Sequence, residues 1–298
     1  MLTLLILGTV FAGLLGLAFG SFLNVCLSRW PQGGNVTTPR SYCPACLRTL
    51  SWWENIPVLS WLLLKGRCRT CKAAIGLRHP IVELAVGGIW AFVVWRLLVQ
   101  WIAQQSGPAL PYDPLYLQSE TAAANMILCW FLVGLAVLDA EHFWLPDVIT
   151  LPGIVVGVLF YALIFLQTAR VYNLITDPAF AFGMRILAAF AGAGIILLIR
   201  WVYFLFRHRE GIGMGDAKLM AMLAGWLGFE GAVLSFALGV LLATIAGFVV
   251  LSLESREKKA EDWALIKLPL GTFLCVGAII ASLWGDQIIG TYREWMGF

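Results

Sequence analysis

The chain has 298 residues, of which 60% are hydrophobic and only 12% charged. Soluble domains carry about one quarter charged residues, so a soluble globular enzyme is excluded, and a net charge of +3 gives no reason to expect a nucleic-acid partner. Apolar runs recur that are long enough to cross a hydrocarbon core of about 30 Å, which takes about 20 helical residues. They predict an all-α polytopic membrane protein with about eight spans.

The first run, residues 2–27, lacks a basic n-region and is long for a signal-peptide core, so it reads as a retained membrane helix. Residues 29–79 hold eight Lys or Arg against one acid, Glu54. By the positive-inside rule that segment is cytoplasmic, and the loop 103–121, which has no Lys or Arg, is external. The division that follows is a first transmembrane helix (1–28), a cytoplasmic domain (29–79) and a transmembrane core (80–298).

Within 29–79 lie Cys43-Pro44-Ala45-Cys46 and Cys68-Arg69-Thr70-Cys71. Two CxxC pairs at this separation are the spacing of a tetrahedral zinc site, with all four positions filled by protein and none open for catalysis. Two disulfides or a redox pair compete with that reading, and a reducing cytosol argues against them. A segment with few large apolar residues beyond Trp52, Trp53 and Trp61 needs such a staple. Cys26, Cys129 and Cys275 fall in spans and read as small packed core residues.

Further spans are expected near residues 81–102, 122–138, 148–166, 182–205, 217–229, 232–253 and 268–288. The shortest, 217–229, is kept as a crossing. Without it the loop holding Arg256, Lys258, Lys259 and Lys267 would move outside. No internal repeat is evident.

The third span ends at Asp139, followed by Glu141, His142, Pro146 and Asp147. The sixth begins after Gly213-Met214-Gly215-Asp216, with Lys218 two residues on. Ionisable groups at span ends are costly to desolvate and point to function. Two carboxylates brought together cannot both ionise cheaply. The ionised member can then activate water while the protonated one polarises a peptide carbonyl. Gly213 and Gly215 would let the backbone approach an extended peptide. Asp147 reads equally as the acid of a helix start beside Pro146. Lys218 reads as a snorkelling cation or as a group that tunes Asp216. Glu141 and His142 read as solvated.

Taken together these motifs resemble the type IV prepilin peptidases, bifunctional leader peptidases and N-methyltransferases of bacterial inner membranes. The resemblance runs from Gly20-Ser21-Phe22-Leu23-Asn24-Val25 through the two cysteine pairs, Glu54 to Trp61, and Pro80 to Leu84. It continues through the Asp139 and Asp216 motifs to Leu268-Pro269-Leu270-Gly271. It implies that Asp139 and Asp216 are the catalytic pair, with Asp147 secondary; the charge-based topology puts both members of the pair at the cytoplasmic membrane surface. It implies prepilin or pseudopilin substrates, cut after a short basic leader between a Gly and an aromatic-led apolar helix. It also implies N-methylation of the new terminus from S-adenosylmethionine. No glycine-rich nucleotide fingerprint marks a site for that donor; Glu54 and Glu83 are its only candidates. The chain departs from the family at His79, where Tyr is common, and at Thr272, where Pro is common. The second departure is expected to affect helix geometry at most. Anionic lipid headgroups suit the basic 29–79 surface better than a basic leader does. A non-enzymatic alternative is a transporter, or a pilus or secretion assembly subunit, that uses paired acids to bind a cation or a partner.

Overall fold

The computed structural model describes every residue except 39, 107–114, 172–176, 209–212, 255–267 and 298. Arg209, Arg256, Lys258, Lys259 and Lys267, which support the charge-based topology, lie outside the described residues. The helices are α1 (Leu2–Arg29), α2 (Leu59–Leu63), α3 (Arg78–Ser106), α4 (Leu115–His142), α5 (Asp147–Val171), α6 (Pro178–Arg207), α7 (Met214–Glu254) and α8 (Leu270–Met296). Among the described residues seven of these are long and apolar enough to cross a membrane. The chain is thus an all-α, multi-pass protein. It divides into two compact units, Met1–Gly134 and Leu135–Phe298.

In the first unit α1 packs along α3. Small residues permit the close approach: a Cβ on Gly16 would lie 2.9 Å from Gly87 Cα, and one on Gly20 would lie 2.7 Å from Glu83 Cα. Between these helices sits the cysteine module, tied down by a side chain. Glu83 on α3 accepts the Val58 N–H of the module at 2.7 Å, while Asn24 on α1 donates to the His79 carbonyl in the first turn of α3 at 2.9 Å. Val58 is a β-branched residue at φ 58°, a conformation that needs outside support, and the Glu83 bond supplies it.

The second unit is a bundle in which α5, α6 and α8 pack against α7. Helix α7 has 41 residues, about 60 Å if straight and so twice a bilayer core. It is not straight. Gly228 breaks it at φ 77° and ψ 176°, a backbone conformation that glycine alone adopts without penalty. A Cβ there would also lie 2.5 Å from Arg185 Nη1, whose guanidinium stacks over the Tyr161 ring.

The two arms on either side of Gly228 run in opposite directions. The first lies along α5, with Gly153 against Met222 and Gly157 against Trp226. The second runs antiparallel to α8, with Gly239 against Leu274, Gly277 against Ser235, and Glu230 paired with Arg293 at 2.6 Å. The seven long helices therefore contain the two short spans expected at 217–229 and 232–253, joined by a reversal at Gly228, just before the end expected for the first.

Candidate functional site

The cysteine module consists of two copies of one turn. In the first, Cys43 N–H donates to Arg48 O, Leu47 N–H donates to Cys43 O, and Tyr42 bridges Thr49. In the second, Cys68 N–H donates to Ala73 O, Lys72 N–H donates to Cys68 O, and Arg67 bridges Ala74. Leu47 and Lys72 both take positive φ, 56° and 60°. This eight-residue duplication was not apparent in the sequence, because apart from the cysteines the two copies share almost no residue identities.

The turns bring the four Sγ atoms within 4.8 Å of one another, with Cys43 and Cys71 at 3.8 Å. Four thiolates about 2.3 Å from one tetrahedral ion are spaced about 3.8 Å apart. All four cysteines are free of disulfides. Backbone N–H groups of Cys71 and Thr70 donate to Cys68 Sγ and bring its thiol down to about 6, toward the deprotonated form that a metal requires.

Glu54, a candidate for donor binding, is already engaged. Arg48 donates to both its carboxylate oxygens, at 2.6 and 3.0 Å, and Ser51 N–H donates at 2.8 Å. The Arg48 guanidinium, with Ser51, holds Glu54 at about 2, far below the ordinary carboxylate range. It is a brace of the module.

In the second unit α4 ends when Phe143, in a left-handed conformation, returns its N–H to Asp139 O. Pro146 then starts α5, its carbonyl accepting from Ile149 and Thr150 N–H. Asp139 and Asp216, both buried, lie within electrostatic reach of each other. Leu145 packs against the backbone beside both of them. A Cβ on Gly215 would lie 3.1 Å from Leu145, and one on Gly271 3.0 Å from Leu145 and 2.9 Å from Asp139 Oδ2. Three chain segments therefore converge on the pair, with glycine where the backbone comes closest.

The carboxylates have different partners. Asp216, in the first turn of α7, accepts Gly213 N–H at 3.3 Å, the reciprocal contact of a helix start. Asp139 faces the start of α8 instead. Its Oδ2 accepts Thr272 N–H at 2.7 Å, Thr272 Oγ1 lies 3.2 Å away, and Gly271 N–H also points at it. The first N–H groups of a helix have no partner within it, and a negative charge there is favoured by the helix dipole. Asp139 thus caps α8 from another helix. Among the described residues neither aspartate pairs with a cation.

Other predicted residues fall nearby in different roles. Lys218 donates to Asp147 at 2.6 Å, and both are substantially exposed. The lysine read as a possible modulator of Asp216 thus has another partner. Glu141 and His142 are exposed at the α4 end. Cys275 is fully buried and within electrostatic reach of both aspartates.

Thr272 is the residue the sequence reading undervalued. Its role there was limited to helix geometry, whereas its amide and hydroxyl both meet Asp139. A signal existed: Pro269 and Leu270 announce a helix start, and its free N–H groups require an acceptor.

With this geometry in view, comparison with known proteins is direct. Residues 14–97 match the bacterial peptidase A24 N-terminal domain, and residues 126–248 match the type IV leader peptidase family. The prepilin leader peptidase/N-methyltransferase of Pseudomonas aeruginosa is 32% identical over 96% of this chain and 93% of that protein. Proteins of the same name from Aeromonas salmonicida (32%, 94% and 91%) and Burkholderia pseudomallei (33%, 92% and 85%) are similarly close. No solved structure matches. A multi-pass helical chain that matches both domains and aligns with these relatives over 92% or more of its length belongs to the type IV leader peptidase family.

Proposed function

We propose that this enzyme cuts the short basic leader from type IV prepilins or pseudopilins at the cytoplasmic membrane face and then methylates the exposed amine. The observation that carries the peptidase reading is the buried pair Asp139 and Asp216, within electrostatic reach of each other where α4 ends and where α7 begins. The positive-inside count supports the cytoplasmic side for that end. The names of the relatives support both activities and the prepilin substrate.

In the chemistry such a pair performs, one aspartate is ionised and the other carries a proton. The oxygen of a water bonds to the scissile carbonyl carbon as its proton passes to the ionised aspartate. The acid's proton goes to the carbonyl oxygen. Collapse of the resulting diol breaks the C–N bond. The proton taken from water goes to the leaving nitrogen, and a diol hydroxyl returns a proton to the second aspartate. Both groups end as they began.

Two partners are implied beside the peptide. Cys43, Cys46, Cys68 and Cys71 fit one structural zinc ion by donor type and spacing. S-adenosylmethionine, which supplies an electrophilic methyl group when bound, needs a cavity of cofactor size. The first unit contains one of ≈ 490 Å³ lined by Tyr42, Trp61, Glu83 and Asn24. Asn24 Oδ1 is buried there with no hydrogen-bond partner among the described residues, an acceptor open to a ligand's amine or hydroxyl. The aromatic rings would hold an adenine, and Glu83 would offset a sulfonium charge.

The test is a purified preparation given a synthetic prepilin fragment, with and without S-adenosylmethionine, and mass analysis of the product. The expected products are the shortened peptide and, with the donor, that peptide heavier by one methyl group. An intact substrate would overturn the peptidase reading. A shortened but never methylated peptide would overturn only the second activity.

A further inference from the structure

We propose that Thr272 is a positioning residue that holds Asp139 as the water-activating base of the pair and leaves Asp216 as its acid; this rests on the peptidase reading above. Asp139 Oδ2 accepts the Thr272 amide at 2.7 Å and lies 3.2 Å from the Thr272 hydroxyl, while Asp216 Oδ2 accepts one amide, from Gly213, at 3.3 Å. Hydrogen bonds donated to a carboxylate favour its charged form, and those to an ionised acceptor are the stronger ones. Of two acids that cannot both ionise cheaply, Asp139 is the better supported anion. The titratable groups facing it from the packed helices are Asp216 on α7 and Cys275 on α8. Cys275 lies within electrostatic reach of both aspartates, more strongly of Asp139.

The hydroxyl adds a second property. Thr272 Oγ1 also lies 3.0 Å from the carbonyl of Ala136. A hydroxyl has one proton to donate and lone pairs to accept with. Facing ionised Asp139, it donates to Oδ2. Once Asp139 has taken the proton from water on its other oxygen, Oδ1, the uncharged Oδ2 is a weaker acceptor and the hydroxyl turns its own proton to Ala136 O. The side chain is satisfied in both states of the base, so neither proton transfer leaves a buried polar atom without a partner.

The experiment compares Thr272→Val, Thr272→Ser and Thr272→Pro in the full-length protein, with cleavage of a synthetic prepilin followed across pH. Thr272→Ser keeps both donors and should match the parent. Thr272→Val keeps the amide and loses the hydroxyl. Its kcat should fall about tenfold with KM little changed, and the acid limb of its pH profile should move to higher pH. Thr272→Pro, the residue common in the family, removes both donors and is compatible with a first helical turn. Its acid limb should move at least as far, and it serves if the Val variant does not accumulate. An unshifted acid limb in the variants that accumulate, or a loss confined to protein level or KM, overturns the proposal and leaves Thr272 as a helix cap. Cleavage by Asp139→Asn would instead sink the peptidase reading itself.

Discussion

The units Met1–Gly134 and Leu135–Phe298 both bury acidic side chains, and they treat them in opposite ways. In the first, Glu54 is saturated by Arg48 and Ser51, and Glu83 holds the backbone of Val58. In the second, Asp139 and Asp216 are set against each other and against a thiol, with backbone and hydroxyl donors but no cation among the described residues. A buried carboxylate matched by a guanidinium stabilises a fold. One placed beside another carboxylate raises the cost of ionising both, and that cost is tolerated where protons must move. Lys218, two residues after Asp216, pairs with exposed Asp147 instead.

The comparison can be broken most sharply at the pair itself. Asp139→Asn and Asp216→Asn should each lower leader cleavage by about 10³-fold while the protein keeps its zinc. Loss of zinc or of the folded protein in either variant would mean that the aspartates are structural like Glu54.

Next in size is the metal module. Cys43→Ser or Cys68→Ser should release zinc and open residues 29–79 to proteolysis, because a structural zinc site supplies folding energy outright. Metal analysis and limited digestion read this. An unchanged digestion pattern would show that the duplicated turns fold without the ion.

A smaller effect is expected at Glu54. Its carboxyl is held at about 2 in the fold against an ordinary value of 4.5. A depressed folded value contributes stability that is present above 4.5 and lost as pH falls from there toward 2. Glu54→Gln should therefore lower module stability at neutral pH, and the difference from the parent should narrow through that acid window. A pH-independent difference would assign the brace to shape alone.

The smallest effect belongs to the exposed pair. Lys218→Met should change cleavage by less than about fivefold, because surface ion pairs contribute about 0–1 kcal/mol. A loss approaching that of the aspartate variants would place Lys218 in the site.

Much of this was legible in the sequence. Long apolar runs dictate membrane helices, CxxC spacing dictates a converging thiol cluster, and acids at span ends stand out against an apolar background. The two spans within α7 were legible because composition and charge parity required a reversal, and Gly228 provides it. What stayed hidden were contacts between segments distant in the chain. Thr272 meets Asp139 across 133 positions, and no local pattern encodes which acid will cap which helix. The repeated cysteine turn was hidden for another reason. Its likeness is carried by backbone hydrogen bonds and positive φ at Leu47 and Lys72, two residue types that do not advertise that conformation.

The central claim is that Asp139 and Asp216 act as one unit, and the double variant tests it most directly. Groups that share one chemical step lose their effect together. Single-turnover cleavage should therefore be no slower in Asp139→Asn/Asp216→Asn than in either single variant. Losses that multiply, or normal processing in any of the three, would contradict the account.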